Sequence, residues 1–256
     1  MSQPKRIRPS PPPGGARWRD TVDRCAAATG PFPEALMADW RDELDAVEAR
    51  ARGLERAAPG TWGLGGVRPH DRRREPRSDD GVHALVTLAS ARLGVAWPAR
   101  HLIDVACAVE LAYRATKHHH EITDRRSDGR VEPARAHGDR GDNRRHVLDG
   151  DWSITEAAVL VAEVGPSAYR LLVRGYGMVQ LARLDAREAA GRTALVPTAV
   201  ALGGLVGGVP ADVVAGICAS FSDADAPFPA GLPDAARICR WAGSLLRASS
   251  PLAVQR

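Results

Sequence analysis

The amino-acid sequence predicts an all-α fold, and three observations carry that expectation. Apolar residues recur at helical spacing through most of the chain, and no segment shows the strict alternation of a half-buried strand. Only 5% of residues are aromatic, while small and aliphatic side chains dominate, which favours closely packed helices over a β-sandwich. The chain has 256 residues, 44% apolar and 26% charged, enough for one domain with a sizeable core.

Each element follows in order. Residues 1–30 read as a disordered arm, because the first 19 carry five prolines and five basic residues without an acid. The arm has no apolar stretch of the kind a secretory signal needs. Residues 31–250 are expected to form a single helical domain. Within 33–58, Leu36, Trp40, Leu44, Val47 and Leu54 fall at helical spacing, giving one amphipathic helix or two in tandem. Residues 60–80 include RPHDRRREPRSDD, which has nothing to pack and reads as a loop. Residues 82–93 are helical again. Pro98 opens the longest helical stretch, through Asp124, at a position where a first turn tolerates proline. Residues 125–146 are rich in Arg, Asp and Gly and read as a second polar loop. Helical patterns resume at 147–164, 167–190, 193–205, 212–220 and 233–248.

Charge and cysteine usage exclude several classes. Thirty-five Lys plus Arg against 31 Asp plus Glu leave a net charge of +4, too small to call for a nucleic-acid partner. The longest apolar run, 194–209, is interrupted by Pro197 and four glycines. It falls short of the ~20 residues a spanning helix needs, so no membrane span is expected. Cys25, Cys107, Cys218 and Cys239 lie far apart with no C-x-x-C pair, which excludes a zinc ribbon and a thioredoxin motif. Reduced, mostly buried thiols and a cytoplasmic protein are the expectation.

The chemistry concentrates at the end of the Pro98 helix, in His118, His119, His120, Glu121 and Asp124. Positions 120, 121 and 124 are i, i+1 and i+4, so an imidazole and two carboxylates share one helix face. Two readings stand side by side: a ligand set for a divalent cation, or a solvated helix end whose histidines are stabilised by the helix dipole. A zincin motif is excluded, because Asp124 stands where the second histidine is required.

The segment VELAYRATKHHHEITDRRSDGR resembles the first aspartate-rich segment of the trans-isoprenyl diphosphate synthases, the polyprenyl synthetase family. That family reads V-E-L-x-x-x-x-x-L-x-H-D-D-x-x-D followed by an arginine pair. The framework agrees at Val109, Glu110, Leu111, Thr116, His119 and Asp124, with Arg125 and Arg126 following. Further matches come in order: ALVTLASARLG at 84–94, VLDGDWSITEA around Leu148, Gly150 and Asp151, then Gln180 with Leu184 and Asp185, then AAGRTAL at 189–195.

The resemblance implies a helical bundle of the isoprenoid-synthase type around a central apolar cavity, with carboxylate clusters at its mouth holding Mg²⁺. It implies metal ligands at His120, Glu121, Asp124 and Asp234, and diphosphate contacts from Arg125, Arg126, Gln180, Arg192 and Thr193. An allylic prenyl diphosphate is the implied substrate, and a homodimer, or a heterodimer with a related synthase, the implied assembly. The chain also departs from the pattern. His120 replaces a carboxylate, Glu121 lengthens one, and Arg192 stands for a lysine. Ser78-Asp79-Asp80-Gly81-Val82-His83 replaces the isopentenyl-binding G-K-x-x-R-P, exchanging cations for anions. Of the second aspartate-rich motif, GLPDAAR keeps Asp234 alone. Three functions follow: an enzyme that only ionises a prenyl diphosphate, as a terpene synthase does; a prenyltransferase with an unusual site; or a catalytically silent paralogue that modulates an active synthase.

Overall fold

Ten successive residues, Val82–Ala91, are buried on every side. A helix of Val, Leu and Ala with no exposed face is stable only when other helices surround it, and the rest of the bundle is arranged to do so. The computed structural model describes residues 18–29, 33–57, 81–94, 99–127, 136–184 and 195–222. Among the described residues there are eight helices and no strand. They are α1 (Asp20–Thr29), α2 (Glu34–Ala57), α3 (Val82–Ala91), α4 (Ala99–Ser127), α5 (Ala136–Val164), α6 (Pro166–Leu184), α7 (Leu195–Gly207) and α8 (Ala211–Ser222). Helix α3 lies against α4 and α7, with α1 and α2 also touching it. Helix α4 packs along α5, α5 on α6, α6 on α7 and α7 on α8. The sequence-predicted all-α bundle is therefore what the chain forms.

The start of α3 is set by a residue of α4. Gly81 precedes the helix at φ +80°, a conformation that favours glycine, and supplies no side-chain cap. The Gly81 and Ala84 N–H groups instead donate to the two oxygens of the Glu110 carboxylate, at 3.1 and 3.3 Å. Glu110 is fully buried, so the orphan donors and positive end of α3 meet a carboxylate in a dry interior. Further along α3, the Thr87 hydroxyl donates to the His83 carbonyl and the Ser90 hydroxyl to the Val86 carbonyl, which leaves both satisfied within the helix.

The glycines that interrupt the apolar run have a packing role. A Cβ on Gly203 would run into the Thr87 carbonyl, and one on Gly207 into the Ala91 carbonyl. The α3 and α7 backbones approach too closely for any side chain between them. Gly175 does the same for α6, where a Cβ would strike the Thr198 hydroxyl of α7.

Helix α2 is one continuous helix, the first of the two alternatives, and buries Met37, Trp40, Leu44, Val47 and Ala51. Ion pairs hold its outer face: Arg92 to Glu43 at 2.7 Å, Arg50 to the buried Asp104 at 2.9 Å, and Arg114 to Glu55 at 2.5 Å. Arg100 reaches both Asp104, at 3.6 Å, and Glu163 of α5, at 3.0 Å. The exposed Arg100–Glu163 pair contributes little by itself.

Two expectations are corrected. Helix α1 falls inside the segment read as a disordered arm, because Trp18, Val22 and Cys25 form an i, i+4, i+7 stripe buried in the core. Residues 125–146, read as a loop, contain the last three residues of α4 and the first eleven of α5. The α5 face there is built from polar residues, Asn143, His146 and Asp149, spaced three apart, so no apolar stripe announces it. Residues 1–17 and the expected helix at 233–248 lie outside the described residues. No described helix is long and apolar enough to cross a membrane.

Three substitutions test this account. Glu110→Gln leaves one α3 N–H without an acceptor and is expected to cost about 1–3 kcal/mol. Gly203→Ala should cost about 1–3 kcal/mol by overpacking. By contrast, Gly53→Ala, where a Cβ meets nothing within 4 Å, should add about 0.5–1 kcal/mol. Urea midpoints at unchanged slope read all three.

Candidate functional site

Helix α4 changes character along its length. From Val105 to Ala112 every residue is buried, in the main core. From Tyr113 onward its side chains are predominantly polar, with Tyr113, Lys117, His118, His119 and His120 in two turns. Four other elements end or begin beside them: the start of α3, the first half of α5, the last turns of α6 and the start of α7.

Tyr113 is the hinge between core and polar end. It packs with Val179 of α6 and Leu195 of α7 in a second buried apolar cluster. The His83 ring of α3 lies on its face, centroids 4.1 Å apart and tilted 35°. The Lys117 ammonium sits 4.5 Å over the same ring, an attractive cation–π arrangement that keeps a positive charge at this end.

His119 joins three helices. A Cβ on Gly150 would collide with its ring, so the missing side chain is what lets the imidazole lie on the α5 backbone. Its Nε2 is 3.3 Å from the Asp151 carboxylate of α5, and its Nδ1 is 2.9 Å from the Tyr176 hydroxyl of α6. The neutral ring that satisfies both partners carries its proton on Nε2, donating to Asp151, and accepts the Tyr176 O–H at Nδ1. Asp151 is 62% exposed, so water screens the charged half of this link. One residue earlier on α4, His118 is buried and its Nδ1 approaches Nδ1 of His146 on α5 to 3.3 Å.

The sequence-derived site residues fall into three groups. His120 is half-buried on α4. Glu121, Asp124, Arg125 and Arg126 occupy the final two turns of the same unbroken helix, so the i, i+1, i+4 spacing of His120, Glu121 and Asp124 is helical, though their carboxylate and guanidinium groups lie outside the described residues. Gln180 is half-buried on α6, and its buried Nε2 has no hydrogen-bond partner among the described residues. Arg192, Thr193 and Asp234 lie outside the described residues. Among the described residues no group of three His, Cys, Asp or Glu side chains converges as metal ligands. Burial pushes the Cys107 thiol up to about 12 and the Cys218 thiol up to about 11, which disfavours the thiolate at both.

Sequence reasoning missed Tyr176 and His146. Each pairs with a residue of α4 far away in the chain, and neither lies in a recognisable motif. Tyr176→Phe should remove the phenol–imidazole bond and lower stability by about 1 kcal/mol, with the His119 ring proton shifts moving in NMR spectra while α1 and α2 signals stay in place.

No family model matches the chain, and no curated protein matches it. Among solved structures, it is similar to a decaprenyl diphosphate synthase from Rhodobacter capsulatus, with 21% sequence identity and a TM-score of 0.52. The likeness covers 78% of this chain and 63% of that one, so this chain spans less than two thirds of the neighbour's length. At that identity the likeness speaks to the fold: this all-helical chain has a prenyl-synthase-like fold.

Proposed function

We propose that this chain acts on an allylic prenyl diphosphate, ionising it with Mg²⁺ assistance in isoprenoid biosynthesis. One observation carries the reading. Helix α4 continues unbroken through the H-H-H-E-x-x-D run, at the end of a prenyl-synthase-like bundle where Lys117 also stands, with the Gln180 Nε2 that has no partner among the described residues.

In this reading His120, Glu121 and Asp124 would hold Mg²⁺, with Asp234 a ligand from the second motif. The donor chemistry suits the ion in part: two carboxylates are hard oxygen ligands, while the imidazole is a softer one. The bound ion would supply charge neutralisation for the departing diphosphate. The chain's own part is to grip and orient. Arg125, Arg126, Arg192, Thr193 and Gln180 donate hydrogen bonds to diphosphate oxygens, the arginines with the fork geometry that matches them. The bond between the allylic carbon and the diphosphate oxygen breaks, and its electron pair leaves with the diphosphate. An apolar surround keeps water from the cation. Asp79 and Asp80, standing where isopentenyl diphosphate would need cations, favour ionisation alone, as in a terpene synthase, over chain elongation.

The second reading is a catalytically silent paralogue paired with an active synthase. It is favoured by the Tyr113–Val179–Leu195 cluster, which fills space between α4, α6 and α7 with protein side chains. A cytoplasmic location and a homodimer or heterodimer belong to both readings.

Incubating the full chain with geranyl or farnesyl diphosphate and Mg²⁺, with and without isopentenyl diphosphate, and following diphosphate release separates them. The expected outcome is release without isopentenyl diphosphate, reduced roughly 100-fold or more in Asp124→Ala, whose circular dichroism stays that of the parent. No release by the chain alone, with an altered product from an active synthase when the chain is added, overturns the enzymatic reading.

A further inference from the structure

We propose that the outer faces of α5 and α6 form one interface on which a second copy of this chain docks, with the twofold axis running along the helices. The inference deepens the assembly named above and rests on none of its chemistry.

Apolar exposure is concentrated on these two helices. Of the eight large apolar side chains exposed among the described residues, seven lie on α5 and α6. On α5, Leu148, Trp152, Thr155, Val159 and Ala162 are spaced four, three, four and three apart. That is the seam of a coiled coil, and it lies opposite the buried face made by Ala157, Leu160 and Val161. On α6, Tyr169, Val173 and Leu181 form an exposed row, with Gly177 filling the step between the last two. A Cβ on Gly177 would meet nothing within 4 Å, whereas one on Gly175 would strike Thr198 of α7. Packing inside the chain thus explains Gly175 and, among the described residues, gives no reason for Gly177. Glycine weakens a helix interior, and the close approach of a partner's helix gives this one a use.

The two rows lie side by side. The His119 ring touches both Asp151 of α5 and Tyr176 of α6, which puts these two residues level. The helices meet at Gly165 and therefore run antiparallel. Val159 stands near the level of Tyr169, Glu156 near that of Arg170, and Leu148 near that of Leu181.

Charge identifies the occupant. Glu156 and Glu163 follow Thr155 and Ala162 by one position. They lie on the side of α5 from which Glu163 reaches Arg100 of α4, away from Asp151 and α6. Arg170 and Arg174 follow Tyr169 and Val173 by one position, on the side of α6 turned away from Tyr176. The joint face is therefore apolar in the middle, acidic along its α5 edge and basic along its α6 edge. A twofold axis along the helices lays α5 of each copy over α6 of the other and sets every acidic edge on a basic one. An axis across the helices would set acid on acid, and an anionic lipid surface would meet the acidic edge. Two helices about 28 Å long and 20 Å wide present roughly 550 Å² in outline, so a pair of copies covers roughly 1,100 Å², above the ~1,000 Å² of a specific interface.

Sedimentation equilibrium of the full chain tests this, with circular dichroism showing that each variant is folded. The expected mass is twice 27.3 kDa. Val173→Asp should weaken association about 30-fold or more, and Leu205→Asp, at an exposed position of α7, should leave it unchanged. Glu156→Arg and Arg170→Glu should each weaken it, because each variant sets two like-charged pairs across the axis. Mixed in equal amounts the two variants should associate as tightly as the parent, since both pairs then carry opposite charges. A parent mass other than the dimer's, a dimer indifferent to Val173→Asp, a mixture no tighter than either variant alone, or association only with an added active synthase overturns the proposal. None of these readouts uses activity, so their failure is distinct from failure of the ionisation reading.

Discussion

A single buried carboxylate organises the centre of this molecule. Glu110, fully enclosed on α4, accepts two N–H groups from the start of α3. Burying that charge would be prohibitive without compensation, and α3 supplies it through two hydrogen bonds and the positive end of its dipole. The exchange is mutual, since α3 has no side-chain cap of its own. Because the bond sets where α3 begins, it also sets which residues of α3 face which neighbour. Thr87, Ser90 and Ala91 are thereby presented to the glycines of α7, and His83 to the face of Tyr113.

The two ends of α4 then serve different purposes. Its first half is a core helix, held at the rim by Asp104 between two arginines. Its second half extends into a polar assembly whose members come from four helices, α3 to α6. The contact between α4 and α5 there is made by imidazoles, a glycine and carboxylates in place of aliphatic side chains. Directional groups define the spacing of the helices more sharply than methyl groups do, and they also give that end its chemistry.

Much of the fold was legible because it rests on apolar periodicity. The stripe from Leu36 to Leu54, the wholly apolar 82–93 segment and the long Pro98 helix each announce themselves. What stayed hidden had its signal masked by polar residues. The stripe of Trp18, Val22 and Cys25 follows a proline-rich basic run that dominated its reading. The start of α5 is helical without an apolar face, since extending a helix costs little once its later turns are anchored in the core by Ala157, Leu160 and Val161. At the site, the resemblance singled out Glu110, His119, Gly150 and Asp151, and each now has a physical part. Glu110 caps α3, Gly150 makes room for the His119 ring, and the Asp151 carboxylate stands 3.3 Å from its Nε2 as the acceptor. The pairings of His118 with His146 and of His119 with Tyr176 span 28 and 57 residues, and no local pattern encodes a contact of that range.

The central position of α3 has a consequence for biosynthesis. Its ten residues need α7 to cover them, and α7 begins at Leu195, more than a hundred residues later in the chain. At a synthesis rate of about 5–20 residues per second, the most apolar helix waits roughly 6–20 s after leaving the ribosome for its permanent neighbour. Throughout that interval Glu110 can bind α3 as soon as α4 emerges, well before α7 does. The nascent chain thus carries an internal holding contact for its own stickiest segment, and the exposed α3 face that awaits the glycines is the surface a ribosome-associated chaperone would meet.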